Sequence, residues 1–228
     1  MQSFFSYFGG KWRLAERLGP PQRDHVIEPF AGSAGYSCFW EPKKVTLIER
    51  DPTVIGVWKF LKRVSPEELM RLPSNISHVD ELPSRVCQEA KWLIGFWFNH
   101  SLEAPTVHRS NWARQPRQGY WSETIKLRLA RQVDRIRHWT IIEGSWEQSP
   151  NLRAHWHVDA PYNNEAGTTY RYHKVDHAAL AKWCKLRRGF VQVCAHDGAT
   201  WLPFEPFTIV STHRVRGYSA EAIYEIEN

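Results

Sequence analysis

The sequence predicts an α/β fold built on an open, mostly parallel sheet. Three observations predict it. An apolar strand runs into a glycine turn over Val26 to Gly35, a second strand-then-helix unit follows directly, and strand-like runs alternate with helical ones through the C-terminal half. With 228 residues, 42% of them hydrophobic, the chain can bury one full core with an insertion, which fits better than two independent domains.

Val26-Ile27-Glu28-Pro29-Phe30 is a short buried strand, and Gly32 and Gly35 permit the tight turn from it into a helix. Val45-Thr46-Leu47-Ile48-Glu49 is the next strand. Asp51 caps the helix behind it, Pro52 occupies the first turn, and the helix runs through Lys62. From Ser65 to Arg137 the periodicity is helical without a convincing strand, and Ser101 to Gln118 is rich in Arg, Asn, Pro and Gln. Residues 65–137 are therefore expected to form a small, mainly helical insert, with 1–64 and 138–228 forming the main domain. Within the insert Ser122 caps a helix that sets Ile125, Leu129, Val133 and Ile136 on one face and leaves Lys126, Arg128, Arg131 and Arg135 outside it. Strands return at Trp139 to Ile142 and His155 to Val158, and a helix begins at Asp176. Phe190 to Cys194, Phe207 to Ser211 and Ala222 to Ile226 supply the remaining strands.

A net charge of +6 and a pI near 9.2 favour a polyanionic partner, and 12 Trp and 8 Tyr set flat side chains among the cations. The four cysteines show neither a Cys-x-x-Cys pair nor regular spacing, so neither a zinc site nor a disulfide framework is expected, which fits a reducing cytoplasm. His155 and His157 lie two apart in a strand with no third ligand nearby, so no metal role is expected. No leader pattern and no run of about 18 apolar residues is present, so a soluble, unprocessed protein away from membranes is expected.

In doubly wound sheets the first strand-to-helix turn offers backbone N–H groups and close approach to a ligand. Gly32 and Gly35 occupy that turn, and Glu49 ends the second strand, close to the offset of about 20 residues at which an acid receives ribose hydroxyls. A nucleoside-containing cofactor follows. The glycine pattern is not the full dinucleotide fingerprint and no Gly-Lys-Ser/Thr cradles phosphates, so neither NAD nor ATP is favoured. Asp159-Ala160-Pro161-Tyr162 follows the strand His155 to Val158. Asp before Pro occurs in plain turns, and the segment gains weight from ending a strand of the same sheet as the glycine turn.

Three ordered segments then carry a resemblance: Phe4-Phe5-Ser6-Tyr7-Phe8-Gly9-Gly10-Lys11, Glu28-Pro29-Phe30-Ala31-Gly32-Ser33 and Asp159-Ala160-Pro161-Tyr162. Their order resembles the Dam-type (class alpha) DNA N6-adenine methyltransferases of bacteria and phages. Tyr170, Asp176-His177, Leu180-Ala181 and Glu221 to Asn228 extend it over most of the main domain but not the insert. The resemblance implies a Rossmann-like S-adenosylmethionine-dependent methyltransferase sheet carrying a helical target-recognition insert. It implies duplex DNA as partner, in the cytoplasm of a bacterium or a phage-infected host, with DNA methylation or restriction-modification as the setting.

By the resemblance Tyr7 and Lys11 hold the methionine portion of S-adenosylmethionine, Phe30, Ala31 and Gly32 line the cofactor, and Glu49 binds its ribose. Asp159 and the carbonyl of Ala160 accept the two amine hydrogens of the target adenine, Pro161 belongs to the same catalytic segment, and Tyr162 stacks on the flipped base. Two departures stand out. Ala160 occupies a position where the family usually has Pro, and Glu143-Gly144-Ser145-Trp146 stands where an Asp commonly receives the cofactor's adenine amine, leaving that contact to Ser145 or Glu143. Arg109, Asn111, Arg114, Arg117 and Tyr120 in the insert suit phosphates and base edges, although the same composition also suits an exposed basic loop. A catalytically silent DNA-binding relative, or a methyltransferase acting on RNA or another planar amine, would carry the same motifs.

Overall fold

The computed structural model describes residues 1–99, 102–110, 119–212 and 217–228. The chain divides into two compact units, residues 1–19, 32–41 and 51–141 in one and residues 20–31, 42–50 and 142–228 in the other.

The first unit is helical. It holds α1 (Ala15–Leu18), α2 (Gly35–Trp40), α3 (Pro52–Arg63), α4 (Pro66–Arg71), α5 (Gln88–Phe98) and α6 (Glu123–Gln132). Asp51 caps α3 by accepting the Thr53 N–H at 2.8 Å, with Pro52 at its start, and Ser65 and Glu68 form a reciprocal capping box on α4. Ser122 caps α6 by accepting the Ile125 N–H at 3.4 Å, and Ile125, Leu129, Val133 and Ile136 are buried as the periodicity predicts. Lys126 and Arg128 depart from it. Lys126 is 3% exposed and its ammonium donates to the carbonyls of Met70 at 3.0 Å and Leu72 at 2.6 Å, so a cation on this helix closes the end of α4. Arg128 is half-buried over the Trp97 ring at 4.8 Å, and loss of water lowers its pKa. Periodicity places such side chains outside the core because it cannot see the carbonyls and ring that receive them.

The described residues of 65–137 belong to this unit together with the N-terminus. Phe5 stacks on Phe96 of α5 at 5.0 Å and the Trp97 indole donates to the Phe4 carbonyl at 2.9 Å. Phe4 and Phe5 both pack on Trp58 of α3, and Trp58 packs on Trp139 at 5.7 Å. These large buried rings form the core of the unit, each contributing on the order of 2–3 kcal/mol by burial.

The second unit carries the sheet. Its strands are β1 (His25–Glu28), β2 (Lys44–Glu49), β3 (Thr140–Glu143, of which Ile142 and Glu143 fall in this unit), β4 (Ala154–Val158), β5 (Gly189–His196), β6 (Glu205–Thr212) and β7 (Gly217–Glu227). The order is β3-β2-β1-β4-β5-β7-β6. β1 pairs parallel with β2 and β4, β4 pairs parallel with β5, and β7 runs antiparallel between β5 and β6. This is the Rossmann-like α/β sheet that the sequence predicts. β1 is followed in the chain by its neighbour on one side, β2, while its neighbour on the other side is β4, so the order reverses between β1 and β4.

All five residues of β4 are buried, as expected for a central parallel strand. Trp156 and Val158 join Ile27, Val191, Val193 and the apolar side of α7 (His177–Lys185) in one core, where Leu180 and Cys184 are fully buried. Burial pushes the Cys184 thiol up to about 12, and all four cysteines are unbridged. The imidazoles of β4 are structural. Burial pushes His155 down to about 3, and its neutral ring accepts the Gln22 N–H at 3.1 Å. His157 bonds Gln192 at 3.0 Å, and Gln192 donates to Glu225 at 2.8 Å, a polar ladder that follows the strand register. Among the described residues no helix is long and apolar enough to cross a membrane.

Candidate active site

In the first unit the N-terminal motif lies directly on the glycine turn. Gly32 has φ +45°, a left-handed conformation that favours glycine, and a Cβ there would come 3.1 Å from the Tyr7 ring. A Cβ on Gly35 would meet the Trp12 backbone nitrogen at 2.4 Å and that of Lys11 at 2.9 Å. The two segments therefore touch backbone to backbone, which bulkier residues would prevent. The Trp58 indole donates to the Gly32 carbonyl at 2.7 Å, and Phe5 and Phe96 meet the Tyr7 ring edge-on at 6.2 Å and 5.8 Å. Lys11 is 6% exposed and its ammonium donates to the Gly9 carbonyl at 3.1 Å. The structure thus brings Tyr7 and Lys11 of the N-terminal motif against a glycine turn, Gly32 and Gly35, more than twenty residues further on.

In the second unit the carboxyl ends of β1, β2 and β4 carry the other candidates. Phe30 and Ala31 follow β1, and the Ala31 N–H donates to the Ile48 carbonyl at 3.1 Å, which fixes that end against β2. Glu49 ends β2 half-buried, with one carboxylate oxygen on the Arg50 N–H at 2.8 Å. Ionised, the group offers about four acceptor positions, enough for a ribose diol. The loop after β3 reaches the same strand end, because the Gly144 N–H donates to the Glu49 carbonyl at 3.0 Å. Ser145 is occupied as the cap of the short turn Trp146–Gln148 and bonds Glu147, whereas Glu143 is exposed at the end of β3.

Asp159 leaves β4 half-buried, and the Tyr162 side chain is held by a residue of β7. The Tyr162 hydroxyl donates to Glu221, which is 7% exposed and also accepts the Ser219 hydroxyl at 3.1 Å. Glu221 lies opposite His196 in the β5–β7 register, and the His196 ring is 6.0 Å from that of Tyr162. The His177 ring donates to the Pro161 carbonyl at 3.1 Å. Ala160, 3% exposed, sits in the apolar core. Relative to a proline its φ is unlocked, worth about 0.4–1 kcal/mol. His177 and Glu221 fall within the segments that extend the resemblance and Ser219 outside them, but nothing in the sequence assigns any of the three a bond to this loop. They become visible only once β5, β7 and α7 are seen beside β4.

In the first unit, Arg109 lies over the Phe98 ring at 5.5 Å and donates to the carbonyls of Trp121 and Ser74, and burial lowers its pKa. Tyr120 is 6% exposed. Both are engaged inside the first unit. Asn111, Arg114 and Arg117 lie outside the described residues.

No protein-family profile matches the chain, and no curated protein matches it. Among solved structures it is similar to a conserved hypothetical protein of Streptococcus pyogenes, with a TM-score of 0.38 and 11% identity over 89% of this chain and 86% of that one. It is similar to HI0767 of Haemophilus influenzae, assigned by inference as a methylase, with a TM-score of 0.37 and 12% identity over 95% and 85% of the two chains. YhhF of Escherichia coli, assigned by inference as a methyltransferase, gives 0.38 and 10% over 95% and 81%. The fold class of this chain rests on its own strand order.

Proposed function

We propose that this chain transfers a methyl group from S-adenosylmethionine to the exocyclic amine of adenine in duplex DNA. One observation carries the reading. Asp159-Ala160-Pro161-Tyr162 leaves the carboxyl end of β4 beside the carboxyl end of β1, where the strand order reverses, and ligands of open α/β sheets bind outside the strand ends at such a point.

The residues present fit the cofactor. In the first unit, the bare backbone of Gly32 against the Tyr7 ring and the buried ammonium of Lys11 suit the methionine portion. In the second, apolar Phe30 and Ala31 with the Glu49 carboxylate suit an adenosine. When bound, S-adenosylmethionine supplies a methyl group on a positively charged sulfur. The adenine amine shares its lone pair with the ring and is too weak an acid for a carboxylate to deprotonate first. Asp159 and the Ala160 carbonyl instead accept one amine hydrogen each, which favours a pyramidal nitrogen with its lone pair turned to the incoming methyl. As the N–CH3 bond forms, the C–S bond of the sulfonium would break with its electron pair kept by sulfur, leaving a neutral thioether. The Asp159 carboxylate opposes the positive charge that develops on nitrogen, and the amine proton passes to solvent during or after transfer. Tyr162, its hydroxyl held by Glu221, presents a fixed ring to the flipped base and offsets part of an unstacking cost of roughly a few kcal/mol.

The direct test incubates duplex DNA and, separately, RNA with methyl-labelled cofactor and identifies the modified nucleoside after digestion. N6-methyladenine from DNA is the expected product. Label in RNA alone, or on another base, overturns the reading. In calorimetric titration Glu49→Ala is expected to weaken cofactor binding by about tenfold, through loss of one hydrogen-bonded charge. Unchanged affinity would remove Glu49 from the site.

A further inference from the structure

The segment that leaves Tyr162 carries charge that catalysis does not use. Beyond Tyr162 the chain makes a short turn over Glu165–Thr169, capped by Asn164, whose side chain accepts the Gly167 N–H at 3.1 Å. The turn is seated on the motif itself, since a Cβ on Gly167 would fall 1.7 Å from the Tyr162 carbonyl oxygen. The chain then reads Tyr170-Arg171-Tyr172-His173-Lys174, with the His173 ring closing on the Tyr170 carbonyl at 2.9 Å.

Two guanidinium groups converge on one ring here. Arg171 lies 5.4 Å from the centre of the Tyr172 ring, and Arg50, the residue after Glu49, lies 4.9 Å from the same centre. Both arginines are exposed, and Lys174 beside them is exposed as well. Among the described residues neither guanidinium has a carboxylate within ion-pair distance. Like charges gathered on one ring repel, and the ring returns only about 0.5–1 kcal/mol to each at an exposed site. An anion bound by both would offset that repulsion, and the planar fork of each guanidinium matches phosphate oxygens. The cofactor assigned to the site has no phosphate. A DNA strand has one at every step.

We propose that Arg50 and Arg171, mounted on Tyr172, clamp a phosphodiester of the DNA strand whose adenine enters the site. The proposal rests on the reading of the chain as a DNA methyltransferase and adds a backbone contact to it. Because the Gly167 backbone packs against the Tyr162 carbonyl, strand engagement and the setting of the stacking ring belong to one piece of chain.

The test measures affinity for a labelled DNA duplex by fluorescence anisotropy at about 50 to 200 mM salt. Arg50→Gln/Arg171→Gln is expected to weaken binding about fivefold to tenfold at the low end and to reduce the log-log salt slope by about 0.9 for one shared phosphate. Tyr172→Phe, which keeps the ring, should bind like the wild type. The single variants give the same reading if the double variant fails to fold. Inorganic phosphate, titrated separately, should compete only weakly with the duplex. Wild type that binds no duplex overturns the methyltransferase reading on DNA and the clamp with it. Wild type that binds while the arginine variants keep its affinity and slope overturns the clamp alone. Phosphate that displaces the duplex at equal concentration would mark a free-anion site and also overturn it.

Discussion

Asp159→Asn is expected to lower single-turnover methyl transfer by at least about a hundredfold, the scale lost when one preorganised electrostatic group is removed. The substitution keeps the shape of the side chain at the end of β4. It replaces an anionic acceptor with a neutral amide whose nitrogen can only donate, so the positive charge developing on the adenine amine loses its partner. Cofactor affinity should change far less, because the residues assigned to the cofactor lie on the glycine turn, the N-terminal motif and the ends of β1 and β2. Rapid-quench transfer of labelled methyl, with a titration of the cofactor beside it, separates the two effects. Transfer near the wild-type rate would make Asp159 a turn residue and remove the proposed mechanism.

The second large effect is expected at Gly35. A Cβ there would lie 2.4 Å from the Trp12 nitrogen and 2.9 Å from the Lys11 nitrogen, and these backbone atoms cannot swing aside as a side-chain tip can. Gly35→Ala must push the N-terminal motif off the glycine turn. Overpacking of this kind costs about 1–3 kcal/mol, which for a chain of this size lowers the melting temperature by roughly 2 °C or more. Cofactor affinity should fall by at least about thirtyfold, the equivalent of about 2 kcal/mol, because Tyr7 and Lys11 move with the motif. Gly10→Ala supplies the contrast. Its Cβ would meet the Ser33 hydroxyl at 2.8 Å, an atom at the end of a side chain that can rotate away, so the loss should be smaller. Equal behaviour of the two variants would show that contact between the motifs does not matter.

Local chemistry made much of the fold legible. The caps Asp51, Ser122 and Asp176 marked where helices begin, because a short polar side chain accepts N–H groups two or three residues on. Strand positions were legible from apolar runs, although β5 and β7 extend beyond them, since pairing with neighbours carries polar residues such as His196 and Glu221 into the ladder. The order of the strands was not legible, and neither was the burial of Lys126. Both depend on contacts between residues far apart in the chain. For the candidate site, the motifs located Asp159 and the glycine turn. The anchors of Tyr162 stayed hidden because Glu221 lies 59 residues away and acquires its role only through the register of β7.

The chain passes between the two units after residues 19, 31, 41, 50 and 141. Residues 65–137 share their unit with Phe4, Phe5 and the glycine helix α2. Modular exchange of recognition segments between relatives works when the exchanged piece folds on its own and meets its host through a linker. Here Phe5 stacks on Phe96, and the Trp97 indole holds the Phe4 carbonyl. A cassette grafted in place of residues 65–137 would take away the floor on which the N-terminal motif rests. Under the proposed function, changes of sequence preference are therefore better sought by point substitution than by transplanting the segment whole.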